Sequence, residues 1–221
     1  METELENGIL IKKQDYDDYD EIITILYKDN LIVILALGVR KITSKNRNAL
    51  QLGNIINISY FKARLVNKIS KLKKATIEFQ PEIEKSDSSD ILLDILYEVN
   101  KVENPTKEIY KAYLESISFL GKEWNWHIKT YVYCRILTAY GLYPNFLGCT
   151  TCGRKDRIID FQWDAGGFIC FYHSKFEKDI DFLNGIKNLS ISFDKYMEIS
   201  PEINKKIFIE LNKYFGNYAR Y

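Results

Sequence analysis

The sequence predicts an α+β chain: an N-terminal five-stranded barrel followed by an α-helical domain that carries a zinc finger. Three observations lead there. Runs rich in Ile, Val and Leu, parted by short turn signals, crowd the first 80 residues. After Pro81 the apolar spacing changes from strand-like to helical. Near residue 150, three of the four cysteines and one of the two histidines stand together in a chain otherwise poor in both.

Strands are expected at 8–13, 21–27, 31–37, 54–61 and about 65–78, with turns at Asp29-Asn30, Gly38 and Gly53-Asn54. Five strands in about 75 residues suit a small barrel or sandwich. The segment EIEKSDSSD reads as a linker and helix start, with Asp87 or Ser88 as N-cap. Ile91, Leu92, Ile95, Leu96 and Val99 then recur at helical spacing, as do Ile109, Tyr110, Tyr113, Leu114 and Ile117 behind Pro105. A third helix is expected from about Trp124 to Tyr140, ended by Gly141 and Pro144. Ile203, Ile207, Leu211, Tyr214 and Tyr218 form a last stripe behind Pro201. The domain boundary is placed between a barrel at 1–80 and a helical domain at 81–221, with the finger at 146–176.

The cysteine-rich stretch reads Cys149-x2-Cys152, seventeen residues, then Cys170-x2-His173. Two pairs with two-residue gaps around a hairpin-sized insert match a structural zinc site. Each pair turns two soft donors toward one ion, and the insert brings the second pair round to complete a tetrahedron. Cys149, Cys152, Cys170 and His173 are therefore the expected ligands of a structural zinc ion. Four protein ligands close the coordination sphere, whereas catalytic zinc keeps a position open, so the pattern speaks against an enzyme. Gly148-x4-Gly153 has the first half of a phosphate loop, but Arg154-Lys155 follows where Lys-Ser/Thr is needed. Cys134 reads as a core residue and His127 as a packed or capping group.

Net charge is +1, yet its distribution is uneven. Asp15, Asp17, Asp18, Asp20 and Glu21 cluster early, in what reads as a solvated turn. From Asn30 to Ile77 there is no Asp or Glu, against ten bases. Solvated surfaces usually mix signs, so this segment is expected to form a polyanion-binding face. Arg40, Lys41, Lys45 and Arg47 are its leading candidates, on a flexible arm between strands, with Lys62, Arg64, Lys68 and Lys71 in support. A five-stranded barrel that binds nucleic acid is the OB-fold pattern. The only aromatics in the segment are Tyr60 and Phe61. Charge thus outweighs stacking, which implies backbone contacts, weak sequence preference and strong salt dependence. DNA and RNA fit equally well at this level.

Met1 to Gly8 carries three glutamates where an export signal needs positive charge. The most apolar run, LIVILALGV at 31–39, has nine residues, far short of the ~20 that span a bilayer. The expectation is a cytoplasmic protein with no membrane partner, in which a disulfide among these cysteines is disfavoured.

Together these parts resemble the RecO family of bacterial recombination mediators. The resemblance rests on GILI at 8–11, Asp20 with IITIL at 22–26, and Gly38-Val-Arg-Lys-x3-Lys-x-Arg-x-Ala-Leu-Gln at 38–51. It continues through Gly141-x2-Pro144, Cys149-x2-Cys152-Gly153 and Gly166-Gly167-x2-Cys170. It spans roughly residues 8–175. It implies an OB-fold, a helical domain and an inset zinc finger. It also implies binding to single- and double-stranded DNA, annealing of complementary strands, and a nucleoid-associated role. The implied partners are RecR, single-stranded-DNA-binding protein and, indirectly, RecA. His173 stands where zinc-bearing members usually have cysteine, and Asn30 where the turn before the third strand usually has glycine. An RNA-binding OB-fold protein with a structural zinc site is the alternative.

Overall fold

Five strands close into a barrel: β1 (Glu2–Asp15), β2 (Glu21–Tyr27), β3 (Asn30–Ala36), β4 (Ile55–Phe61) and β5 (Ser70–Phe79), in the order β1-β2-β3-β5-β4. All pairings are antiparallel except β3 with β5, where Ile34 and Leu35 lie beside Ser70 and Lys71. This arrangement is seen in a computed structural model that describes residues 2–65, 67–84 and 86–218.

Alternation builds the barrel. Leu10, Ile23, Ile25, Ile34 and Ile56 are fully buried in one cluster, joined by Leu50 from the loop after β3, while Val33 beside Ile34 is 45% exposed and Ile9, Ile11, Leu26 and Ile55 are buried on the alternate positions. β1 starts six residues earlier than its apolar run suggests. Of residues 2–7 only Leu5 is apolar and buried, so the signal there is a single inward position. β1 pairs with β4 over its first half and β2 over its second, and it shifts register between Leu5 and Gly8 to do so. Asn7 takes the extra turn with φ 57° and donates its N–H to Asn57 Oδ1 at 2.8 Å. In the β2–β3 turn the left-handed residue is Lys28 (φ 56°), not Asn30, which already belongs to β3 and pairs with Tyr27.

α1 (Ser86–Asn100) begins one residue before Asp87, so Asp87 and Ser88 lie in its first turn. Lys85, just before it, is outside the described residues. Ile91, Leu92, Ile95, Leu96 and Val99 are all buried. α2 (Lys107–Ser116) is tied to the barrel by two tyrosines. Tyr113 donates to the Gly53 carbonyl at 2.6 Å and Tyr110 to that of Asn7 at 2.8 Å. The sheet ends at Phe79, but the compact unit that contains it runs from Met1 to Leu114 for this reason.

The second unit, Glu115–Tyr221, holds α3 (Asn125–Ile136), a hairpin of β6 (Ile158–Gln162) and β7 (Gly167–Cys170), and then α4 (Ile180–Ile191), α5 (Phe193–Tyr196) and α6 (Pro201–Tyr218). Arg135 is the polar centre of its core. It donates to the Leu189 carbonyl and the Tyr143 hydroxyl, each at 2.8 Å, and lies 4.5 Å from the Tyr131 ring centre. Cys134 is fully buried beside it, and burial pushes its thiol up to about 11, as befits a core residue. His127 is buried with Nε2 donating to the Ile199 carbonyl at 3.2 Å, and burial lowers its pKa, so it packs as a neutral ring. On α6, Ile207 and Leu211 are buried, whereas Tyr218 is 51% exposed and leaves the stripe. No helix among the described residues is long and apolar enough to cross a membrane.

The hairpin turn rests on Gly167. Its φ is 142°, and a Cβ there would stand 2.3 Å from the Asn145 carbonyl oxygen. That carbonyl accepts from Phe168 N–H, and Asn145 N–H donates to Gly166 at 2.7 Å. Gly167→Ala is expected to lower stability by on the order of 3 kcal/mol, read as a reduced urea midpoint. Gly153→Ala, with φ 72° and open space around it, should cost only the left-handed penalty of about 1–2 kcal/mol. Equal losses in the two variants would contradict the close-approach argument.

Candidate metal centre and nucleic-acid interface

Two tight turns build the metal centre. In the first, Gly153 N–H donates to the Cys149 carbonyl and Cys149 N–H to that of Arg154, both at 2.8 Å. In the second, His173 and Ser174 N–H converge on the Cys170 carbonyl at 2.9 and 3.0 Å. Thr150 N–H joins the turns through the Phe168 carbonyl at 2.9 Å. The amides of the half phosphate loop are thus engaged in shaping the first turn.

The ligand atoms of Cys149, Cys152, Cys170 and His173 all lie within 4.8 Å of one another. Cys152 Sγ is 3.8 Å from Cys170 Sγ, so the thiols are free, and His173 Nδ1 is 3.7 Å from Cys149 Sγ and 3.3 Å from Cys170 Sγ. A tetrahedral ion with bonds of about 2.3 Å to sulfur and 2.0–2.1 Å to nitrogen sets such atoms roughly 3.6–3.8 Å apart. The four residues could therefore hold one metal ion.

Electrostatics point the same way. Burial opposes ionisation of Cys149, but N–H groups of Cys170, Cys152 and Thr151 outweigh it and pull the thiol down to about 5. Burial pushes the Cys170 thiol up, and hydrogen bonds shared with Cys149 and Cys152 push it further. A cation among the three would remove the mutual repulsion that keeps them from ionising together.

One supporting residue escaped the sequence reading. Asp160 on β6 is fully buried and accepts from Phe161 N–H at 2.8 Å, Gln162 Nε2 at 2.6 Å and Ser174 Oγ at 2.6 Å. It ties β6 to the turn that follows His173. Its only signal in the sequence is an Asp flanked by apolar residues in IIDFQW.

The basic residues gather on two segments that meet at β5. Residues 62–69 lead into β5 and carry exposed Lys62, Arg64 and Lys68; Lys71 is exposed on the strand itself. Residues 37–54 are an anchored loop, not the flexible arm expected. Val39, Ala49 and Leu50 sink into the barrel core. Asn46 accepts from Ala75 N–H at 3.0 Å and donates to the Lys73 carbonyl at 3.4 Å, pinning the loop along β5. Lys45 and Arg47 flank that pin and are exposed, and no carboxylate among the described residues pairs with them.

Arg40 and Lys41 have company. The β1–β2 turn, read from the sequence as merely solvated, abuts the start of the loop. Asp20 accepts from Gly38 N–H at 2.7 Å, and Arg40 N–H donates to the Tyr19 carbonyl at 3.0 Å. The Arg40 guanidinium pairs with Asp15 at 2.9 Å, and Lys41 Nζ lies 5.1 Å from the Tyr19 ring centre. Lys73 likewise pairs with Glu2 at 2.8 Å. The ten-to-none charge count along the chain is therefore partly balanced in space.

Comparison with known proteins adds to this geometry. A family model described as "Recombination protein O N terminal" matches residues 1–79, and one described as "Recombination protein O C terminal" matches residues 84–183. The chain is similar to the DNA repair protein RecO of Bacillus cytotoxicus, 19% identical over 229 residues, covering 96% of this chain and 90% of the relative. It is 18% identical to the DNA repair protein RecO of Bacillus cereus over 227 residues, with the same coverage, and equally so to that of Bacillus anthracis.

Proposed function

The chain belongs to the recombination protein O family, and from that membership we propose that it is a non-enzymatic DNA-binding and strand-annealing mediator of recombinational DNA repair. The observation that carries the reading is the basic loop 37–54 pinned along β5 of the OB-fold barrel. Lys45, Arg47, Lys62, Arg64, Lys68 and Lys71 grip phosphate there, with Arg40 and Lys41 held closer to the acidic turn. The mechanism is electrostatic. Two strands repel, and a basic surface that holds both lowers the repulsion and raises their effective concentration. Nothing in it calls for a nucleophile, a general base or an open metal position.

Cys149, Cys152, Cys170 and His173 hold a structural zinc ion, which fixes the finger at 146–176. The barrel at 1–80 is the nucleic-acid-binding domain, and residues 81–221 are the helical domain that carries the finger. The partners are single- and double-stranded DNA, RecR and single-stranded-DNA-binding protein, with the strand passed on to RecA, in the cytoplasm at the nucleoid. What supports these partners is family membership. The RNA-binding alternative shares the charge and the barrel.

The test is annealing of two labelled complementary oligonucleotides coated with single-stranded-DNA-binding protein, followed by FRET without nucleotide. The expected result is an annealing rate raised severalfold at low salt and lost at high salt. No acceleration, with DNA binding intact, would remove the annealing role. Matched RNA outcompeting DNA would favour the alternative.

A further inference from the structure

The exposed rings beside the basic residues of the barrel have lysines against them, as Tyr19 has Lys41 Nζ 5.1 Å from its ring centre. Tyr60 belongs to the barrel core and Phe61 has Lys73 Nζ 5.9 Å from its ring centre. Such a surface holds phosphates but offers bases little to stack on.

The metal-binding turns have the opposite make-up. Phe171 and Tyr172 sit between the ligands Cys170 and His173, 62% and 57% exposed. Their rings meet edge to face with centres 5.8 Å apart. Two arginines frame Tyr172: Arg157 Nη1 donates to its hydroxyl at 2.6 Å, and the Arg154 guanidinium carbon lies 5.0 Å from its ring centre. The backbone holds the rings in place. Phe171 N–H donates to the Arg157 carbonyl at 2.9 Å, and Arg157 itself has φ 52°, a conformation that long side chains rarely take. Lys155 and Lys175 are exposed nearby. Residues 149–158 and 170–175 together carry four bases and a single acid, Asp156, which pairs with Arg154 at 3.3 Å.

We propose that Phe171 and Tyr172, framed by Arg154 and Arg157, form a second nucleic-acid site that takes the unpaired bases of a single strand. This rests on the nucleic-acid-binding reading of the barrel and deepens it. Every base has a π-face, so two rigid exposed rings serve any sequence, and the neighbouring cations meet the phosphates on either side. In a duplex both faces of each base are already stacked, so the site favours single strands. The barrel would then hold any strand by charge, while the finger marks the unpaired one.

The test uses the full-length, metal-loaded protein with Phe171→Ser and Tyr172→Ser combined. Affinity is read by anisotropy for a single strand and a duplex of equal length, and stacking by a 2-aminopurine base in the single strand. Single-strand affinity is expected to fall by roughly five- to a hundredfold. Duplex affinity and salt slope stay unchanged, and the 2-aminopurine response on binding disappears. Tyr172→Trp should retain all three. Variants are compared at equal metal content; Phe171→Ser alone, which leaves the Arg157–Tyr172 bond intact, serves where the double variant loses the ion. Unchanged single-strand affinity would overturn the proposal, as would equal losses on duplex and single strand, which would favour a general electrostatic or protein-docking role. Failure of the barrel reading looks different: the unmodified protein would then not bind the duplex.

Discussion

Removing the proposed zinc ion with a chelator is expected to disorder the two ligand turns, residues 148–154 and 170–174, and to lower the melting temperature of the helical unit, while the barrel keeps its β signal. The reason is the size of the local core. Around the ligands it consists of Cys149, Ile169 and Cys170 with Ile158 packed against them, and two of those residues are ligands. So little apolar burial cannot order two tight turns. In zinc-finger peptides the metal supplies on the order of 10 kcal/mol or more of folding free energy. Single substitutions should rank by burial. Cys149→Ser and Cys170→Ser remove buried ligands, whereas Cys152 and His173 are exposed and leave room for water to take the vacant position. Metal content by elemental analysis and chelator-dependent melting check this. A protein purified without bound metal, with an unchanged melt after chelation, would contradict it.

The second large effect concerns charge. Replacing Arg40, Lys41, Lys45 and Arg47 with glutamine is expected to weaken single-stranded DNA binding by about two to three orders of magnitude near 0.1 M salt. The figure follows from about 0.7 counterion released per neutralised phosphate, or roughly fivefold in affinity for each phosphate that no longer meets a cation. The four residues should not contribute equally. Arg40 must leave Asp15, and Lys41 must leave Tyr19, before either meets a phosphate. Lys45 and Arg47 have no such partner among the described residues. Lys45→Gln with Arg47→Gln is therefore expected to cost more than Arg40→Gln with Lys41→Gln, and Asp15→Asn to raise affinity. Equal losses in the two pairs would show that the acidic turn does not compete with DNA.

Much of this was legible in the residues. The alternating runs marked β2, β3 and β4 to within a residue, because their inward positions are filled by large aliphatics. The grouping of Cys149, Cys152, Cys170 and His173, which could hold a metal ion, was legible because metal chemistry restricts both residue type and spacing. What could not be read depends on contacts between distant segments. β1's first six residues show a single inward apolar side chain, so strand pairing and not composition makes them a strand. The acidic turn and the basic loop are separate blocks along the chain, and only the antiparallel pairing of β2 with β3 sets Glu21 beside Ala36 and so brings Asp20 to Gly38. Asp160 looks like a charge in a strand until its three donors are found. Loop 37–54 reads as a free arm because the bonds of Asn46 to β5 lie 27 and 29 residues away.

The barrel is proposed to bind DNA through its phosphates, by way of the loop pinned along β5. The most direct measurement is single-stranded DNA affinity across a salt series, for the unmodified protein and for the Lys45→Gln, Arg47→Gln variant. With about six phosphates contacted, log K against log salt should fall with a slope near −4, flattened by about 1.4 in the variant. A slope near zero, or one that the variant leaves unchanged, would contradict phosphate binding by this loop.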